Sequence, residues 1–277
     1  MPKLSIITIN YNNLEGLKRT VESVLNQTWQ EFEYIVIDGG STDGSAAYIE
    51  SQSKYFDYWV SDKDSGIYNA MNKGIRVANG EYLLFLNSGD HFFSDTVLEH
   101  NHQYLRNHDL VCFDIINVRE NNSNLFSCPS TIQFSQMLYR TIPHQSTFIN
   151  KQLFNNLGLY DEKLKIVSDW KFFILALFKH NCSYLKVDKT LTVFYIDGIS
   201  WINDNSIERN QVLKEHFGGF LEEYEDRKKS LKILNTNRFI MLQEIEKSKM
   251  GMKLVSVFFR SYIVLFSKKK IKDILKK

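Results

Sequence analysis

Proline is almost missing from this chain, with three in 277 residues, and cysteine is equally scarce. So little proline excludes a proline-rich linker or low-complexity segment, and no repeat of solenoid period interrupts the sequence. Cys112, Cys128 and Cys182 are odd in number and far apart, which predicts buried reduced thiols rather than a disulfide framework or a zinc site. No GxGxxG follows the first apolar run and no GxxxxGK[ST] occurs, so nicotinamide and P-loop nucleotide chemistry are disfavoured. GxSxG and histidine metal motifs are absent too, which removes the commonest hydrolases. Long apolar runs are lacking: residues 254–266 are broken by Arg260 and fall short of the about 20 residues needed to cross a bilayer.

What is present is 43% apolar and 14% aromatic, enough for one large core. The opening residues read as a strand rather than a signal peptide, so export is not expected and a cytoplasmic location is. Formal net charge is +2, yet residues 249–277 carry nine Lys/Arg against one acid, Asp273, so the body is mildly acidic. An acidic body with a basic end fits nucleic-acid binding poorly. An aromatic apolar stretch followed by Lys268-Lys269-Lys270 suits peripheral attachment to the inner face of an anionic membrane.

Leu4–Ile9 is a β-branched run, and Leu14, Leu17, Val21, Val24 and Leu25 then recur at helical spacing. Tyr34–Ile37 reads as a strand ending in the small-residue loop Asp38–Gly44, followed by a helix near Ser45–Gln52 and a short strand at Tyr58–Ser61. Ser65 is placed to cap a helix over Gly66–Ala78, and Glu81–Leu86 is a further strand. This alternation implies a mixed, mainly parallel α/β sheet with helices on both faces. Strands follow at Leu110–Val118, Ser146–Ile149, Tyr184–Val187 and Thr192–Ile196, with a polar stretch at 120–124 and a helix over Asp169–Lys179. A loop at Gly198–Trp201 precedes sustained helical periodicity. The boundaries are a catalytic domain over 1–203, with a nucleotide-sugar half (1–105) and an acceptor half (106–203), then a helical extension with a basic amphipathic tail over 204–277.

The strings Thr8-Ile9-Asn10-Tyr11-Asn12, Asp38-Gly39-Gly40-Ser41-Thr42-Asp43-Gly44, Leu86-Asn87-Ser88-Gly89-Asp90 and Ser168-Asp169-Trp170, in that order, resemble the family-2 glycosyltransferases of the GT-A fold. Asp64–Gly74 and Pro143-His144-Gln145-Ser146 resemble the subgroup that builds colanic-acid-type exopolysaccharides. The resemblance spans about residues 3–200 and implies transfer of a sugar, with inversion, from a nucleotide sugar to a saccharide or lipid-linked saccharide.

In the family, Asp38 stands where a carboxylate accepts from the base N–H of a uridine nucleotide, and Thr8, Asn10 and Tyr11 lie on the loop that cradles the base. Gly39 takes the place of a second aspartate. Asn87, Ser88 and Asp90 align with the acidic motif that holds Mn2+ or Mg2+ against the donor diphosphate; only Asp90 keeps the acid, with Asn87 able to offer an amide oxygen. Asp169 aligns with the general base that draws the proton from the acceptor hydroxyl. Asp64, Asn69, Asn72, Lys73 and His144 fall on segments that line the same crevice. Residues 38, 90 and 169 are thus expected to converge on one pocket. Two alternatives stay open: a nucleotidyltransferase, which would release pyrophosphate, and a silent nucleotide-sugar-binding protein.

Overall fold

The computed structural model describes residues 2–119, 122–196, 205–234 and 236–266. The chain divides into two units, Met1–Gln211 and Val212–Lys277. The first unit is built on one sheet. Strands β1 (Leu4–Asn10), β2 (Phe32–Asp38), β3 (Tyr58–Ser61) and β4 (Tyr82–Phe85) run parallel in the order β3-β2-β1-β4. Every residue of β1 and β4 is buried, which is why they read as unbroken apolar runs: each face is covered by helices. Helix α1 (Leu14–Leu25) turns Leu17, Val21 and Val24 inward at 3.6-residue spacing, and each such fully buried aliphatic side chain contributes about 1.5–3 kcal/mol. Asn13 starts this helix by accepting a hydrogen bond from the Gly16 N–H at 3.1 Å.

Helices α2 (Ser45–Gln52) and α3 (Ile67–Val77) complete the crossovers. Ser65 does not cap α3. Gly66 occupies the cap position at φ +133°, where an L side chain is strained, and its N–H is taken by Asp64 Oδ1 at 3.0 Å. Asp43 serves two helix starts, accepting from Leu14 N at 2.8 Å and from Ser45 N at 3.0 Å.

The sheet continues through β8 (Thr147–Asn150), β6 (Leu110–Arg119), β9 (Tyr184–Tyr195) and β5 (His91–Phe92), with β4 to β8, β8 to β6 and β9 to β5 antiparallel and β6 to β9 parallel. One strand, β9, stands where two were expected, because it absorbs the interruption by bulging out Asp188, Lys189 and Leu191 opposite consecutive residues of β6 around Asp114. The expected polar stretch is instead β7 (Asn122–Phe126), which pairs antiparallel with β6; cross-strand pairing, not its own propensity, makes it a strand. Glu120 and the loop at 198–201 lie outside the described residues, as does the expected boundary at 203. The short helices α4 (Val97–Asn101), α5 (Phe134–Met137) and α6 (Gln152–Leu157) precede α7 (Ser168–Phe178).

The expectation of three reduced thiols is corrected for two of them. Cys112 and Cys128, 16 residues apart and both buried, form a disulfide, because the β6–β7 hairpin brings the chain back beside its start. Cys182 is free, and burial, with Asp109 nearby, pushes its thiol up to about 12.

Helix α8 (Ser206–Leu234) begins in the first unit and has non-helical dihedrals at Phe217. The second unit also holds α9 (Asn237–Glu246) and α10 (Lys249–Phe266). Among the described residues no helix is long and apolar enough to cross a membrane. Lys268, Lys269 and Lys270 lie outside the described residues.

Candidate active site

Parallel pairing sets the level of the site. Asn10, Asp38 and Ser61 are register partners across β1, β2 and β3, so their side chains meet at the carboxyl edge of the sheet. β1 has β2 on one side and β4 on the other; this switch in strand order opens a crevice between the loops that follow β1 and β4.

Asp38 is wholly buried at that edge. Its Oδ1 accepts from Asn10 Nδ2 at 2.7 Å and Ser41 Oγ at 2.6 Å; its Oδ2 accepts from Ser41 N at 2.9 Å and Ser61 Oγ at 2.6 Å. Burial opposes ionisation, but the donated hydrogen bonds of Ser41, Ser61 and Asn10 outweigh it and hold the carboxyl below the ordinary aspartate range. A carboxylate has about four acceptor positions, and four protein donors use them. Asp38 therefore braces its loop. Ser41 then carries the brace across: its Oγ accepts from Asn12 N at 2.7 Å, and Asn12 Oδ1 accepts from Thr42 N at 2.8 Å. Asn13 Nδ2 donates to Ser88 O at 3.1 Å, tying the first loop to the 87–90 turn.

Gly39 has a steric reason to be glycine. A Cβ there would stand 2.5 Å from Asp64 Oδ2 and 3.2 Å from Tyr11 Cδ2. Asp64 thus fills the space that a side chain at position 39 would enter, and the Tyr11 ring beside it is 66% exposed, open to stacking by a flat ring. In the 87–90 turn, Gly89 lies at φ +108°, a conformation an acid at that position would adopt only under strain.

Asp169, at the start of α7, is 8% exposed and held from both sides. Tyr68 OH donates to its Oδ1 at 2.8 Å and also reaches Ile166 O at 2.5 Å; His144 Nδ1 lies 3.2 Å from its Oδ2. Burial raises the pKa of this carboxyl, but hydrogen bonding from His144, the Tyr68 hydroxyl and the Trp170 backbone N–H prevails, and it sits below the ordinary range. His144 Nε2 is 3.3 Å from Asn87 Nδ2. With Nδ1–H directed at Asp169, Nε2 is the acceptor for the Asn87 amide, a tautomer assigned from the network. A continuous path of contacts thus runs from the 87–90 turn through His144 to Asp169 and Tyr68.

Asp169 and His144 line a cavity of about 570 Å³ between the α5–β8 segment, α7, β6, β7 and the first turn of α8. Asp38 and Asp90 do not line this cavity. Asp169 reaches the 87–90 turn through His144, whereas Asp38 is spent within its own loop. Asp90 is 5% exposed, and its backbone carbonyl accepts from Thr20 Oγ1 at 2.6 Å. Among the described residues no three His, Cys, Asp or Glu side chains are grouped to hold a metal. The turn instead offers the Asp90 carboxylate and Asn87 Oδ1, a buried oxygen with no partner among the described residues. These hard oxygens suit Mg2+ or Mn2+ when diphosphate and water complete the shell.

Four expected site residues have structural partners instead. Thr8 is fully buried in β1 with its hydroxyl 3.1 Å from Tyr34 OH, beneath the loop it was expected to line. Asn72 is buried and ties α3 to the 160–162 segment, donating to Tyr160 O at 2.9 Å and Glu162 Oε1 at 2.8 Å. Asn69 donates to Glu162 Oε2 at 2.8 Å, and Lys73 reaches the carbonyls of Asp62 and Lys63 at 3.4 and 3.2 Å. For the three residues of α3 the reason is helix geometry: 69, 72 and 73 share faces that meet neighbouring loops.

Tyr68, Ser41, Ser61 and Arg209 escaped sequence reasoning. Tyr68 lay within the Asp64–Gly74 string without a role of its own. Arg209 lies beyond the expected domain boundary, yet the first unit runs to Gln211; Glu208 pins α8 there by accepting from Lys165 N at 2.8 Å and Ile166 N at 3.1 Å.

The glycosyl transferase family 2 model matches residues 5–159. A glycosyltransferase of Mycobacterium tuberculosis (strain ATCC 25618 / H37Rv) is 36% identical over 180 residues, 63% of this chain and 69% of the relative. A PGL/p-HBAD biosynthesis glycosyltransferase of Mycobacterium bovis (strain BCG / Pasteur 1173P2) is 31% identical over 178 residues, 62% and 68% of the two chains. Among solved structures, residues 1–349 of S. aureus TarS in complex with UDP-GlcNAc superpose with a TM-score of 0.60 at 17% identity, covering 98% of this chain and 77% of that one. The mannosyltransferase PcManGT from Pyrobaculum calidifontis, in complex with GDP-Man and Mn2+, gives 0.56 at 15% identity over 80% and 64%. A longer TarS chain is covered over 42% of its length. At these identities the structures speak for the fold, and the family model and relatives for the chemistry: the chain belongs to glycosyl transferase family 2 and is a glycosyltransferase built on the GT-A fold.

Proposed function

We propose that the protein moves a sugar from a uridine-diphosphate sugar to a hydroxyl of a saccharide or lipid-linked saccharide, with inversion, in bacterial surface polysaccharide synthesis. The observation that carries this reading is the path from the 87–90 turn through His144 to Asp169, a buried carboxylate lining a cavity large enough for a sugar. The donor's base stacks on Tyr11 above Gly39, with Asp64 Oδ2 beside Gly39 to accept its imide N–H. The UDP-GlcNAc of the TarS complex supports a uridine donor.

An acceptor hydroxyl in the cavity passes its proton to Asp169 as its oxygen attacks the anomeric carbon, and the nucleoside diphosphate departs on the opposite side. Tyr68 and His144 hold the carboxylate ionised and in one orientation, so no reorganisation is needed at the moment of attack. Asp90 and Asn87 Oδ1 would hold a divalent cation, which would neutralise charge on the departing diphosphate.

Nucleotide sugars, screened by thermal shift with and without Mn2+, test donor and metal together. UDP-sugars at about a hundred times Kd stabilise the protein by about 2.7 kcal/mol, and excess EDTA weakens that response. Incubation with donor releases UDP. Release of pyrophosphate would indicate a nucleotidyltransferase, and binding without turnover a silent protein.

Membrane attachment is a further part of the proposal. Leu254, Phe258, Tyr262 and Leu265 of α10 are all exposed at helical spacing, with Phe258 and Tyr262 stacked at 6.5 Å. The full chain is expected to co-sediment with vesicles rich in anionic lipid at low salt and to be released at high salt; an unbound protein would reject this part.

A further inference from the structure

The cavity beside Asp169 has more than a sugar-binding character. Amides of Asn117, Asn124 and Gln145 suit hydroxyl groups, and Phe126, Phe194 and the Trp170 edge suit the apolar faces of a sugar ring. Two arginines also line it, Arg140 and Arg209. The Trp170 ring is fixed, 1% exposed, with its indole N–H donated to Met137 O at 2.7 Å. Arg209 stacks on this plate with its guanidinium carbon 4.8 Å from the ring centroid. That stacking covers one face of the planar group and leaves its N–H edges in the plane to bind. Among the described residues its buried Nε has no acceptor and neither arginine forms an ion pair. The Asp169 carboxylate acts on the Arg209 charge through space, with no hydrogen bond between the two among the described residues, so a half-buried guanidinium whose Nε lacks an acceptor gains from an anion that arrives from outside.

We infer that Arg209, with Arg140, forms an anion subsite in the acceptor cavity, so that the acceptor carries a carboxylate or a phosphate next to the attacking hydroxyl. Arginine suits both through paired N–H donors. A uronic acid residue and a sugar phosphate or lipid-linked diphosphate present that same chemistry. The inference rests on the glycosyltransferase reading for its term "acceptor", but the subsite is measurable by itself. The donor diphosphate is the competing occupant, and the test separates the two.

Methyl glucuronide, glucose 1-phosphate and methyl glucoside are titrated against the UDP-saturated protein, wild type and Arg209→Gln, by calorimetry and ligand-observed NMR. At least one anionic probe is expected to bind at least tenfold more tightly than methyl glucoside, and Arg209→Gln to remove that advantage while the neutral probe is unchanged. Preference for the phosphate ester assigns a phosphate-linked acceptor, and preference for the glucuronide an acidic saccharide; either supports the subsite. Equal binding of neutral and anionic probes overturns it, as does a tenfold loss of UDP affinity in Arg209→Gln, which would give the arginine to the donor. Because Arg209 packs on Trp170, melting curves check the fold. If Arg209→Gln does not fold, Arg140→Gln and Arg209→Lys carry the test, the lysine keeping charge but losing paired donation. Failure of UDP itself to bind would count against the function above and not against the anion site, which the same probes report without nucleotide.

Discussion

Asp169→Asn lowers kcat at least about a hundredfold while the dissociation constant for the UDP-sugar stays within about threefold. The asymmetry follows from where the side chain stands. Asp169 lines the acceptor cavity and touches Tyr68 and His144, and it makes no hydrogen bond to the loops after β1 and β2. Asparagine keeps the shape and one acceptor oxygen, so the network around it survives. It cannot take a proton from a hydroxyl. Single-turnover rates with saturating donor, alongside nucleotide titration, separate the two quantities. A variant with turnover near wild type would remove Asp169 from the base role. The low pKa bears on pH as well: the carboxylate stays ionised below the ordinary aspartate value of 3.8, so protonation of this group does not limit turnover between pH 5 and 8.

Asp38→Ala destabilises the fold by about 3 kcal/mol, a fall in Tm of roughly 6–12 °C for a chain of this size. Four donors lose their acceptor at once: the Asn10 amide, the Ser41 N–H and hydroxyl, and the Ser61 hydroxyl. Buried donors left unpaired forfeit hydrogen bonds they would have kept in water, which is why the loss exceeds that of one surface contact. Since the folded pKa lies below the unfolded one, this stabilisation is present above about pH 4 and disappears as pH falls through the folded value. The gap in Tm between wild type and variant therefore narrows on acidification. Calorimetric melts across pH 3 to 7 measure it. If the variant melts like wild type and only UDP affinity falls, Asp38 contacts the base and does not brace the loop.

The two carboxylates illustrate what a motif carries. Both sit where a strand end or helix start was legible, and both are ionised. Asp38 meets Ser41 in its own loop, Asn10 from 28 residues away and Ser61 from 23, the last two brought to it by parallel register. Asp169 meets Tyr68 from 101 residues away and His144 from 25. Sequence offsets say nothing of such pairings. The same holds for Gly39, whose glycine was legible as a departure from the family string but whose reason, the Asp64 carboxylate in the space of its Cβ, belongs to two loops brought together.

Local patterning in the sequence determined the parallel half of the sheet, with β1, α1, β2, α2 and β3 at nearly the expected residues, and with it the edge where Asn10, Asp38 and the 87–90 turn lie. It did so because buried parallel strands and amphipathic helices write their periodicity directly into consecutive residues. Tertiary structure alone decided that β7 is a strand, that Cys112 bonds Cys128, that Asn72 is a tie and not a ligand contact, and that Arg209 stands in the acceptor cavity. The β7 pairing closes over 3 to 11 residues and the Cys112 and Asn72 contacts over 16 and 90, and in each the contact is set by packing and hydrogen-bond satisfaction and not by local propensity.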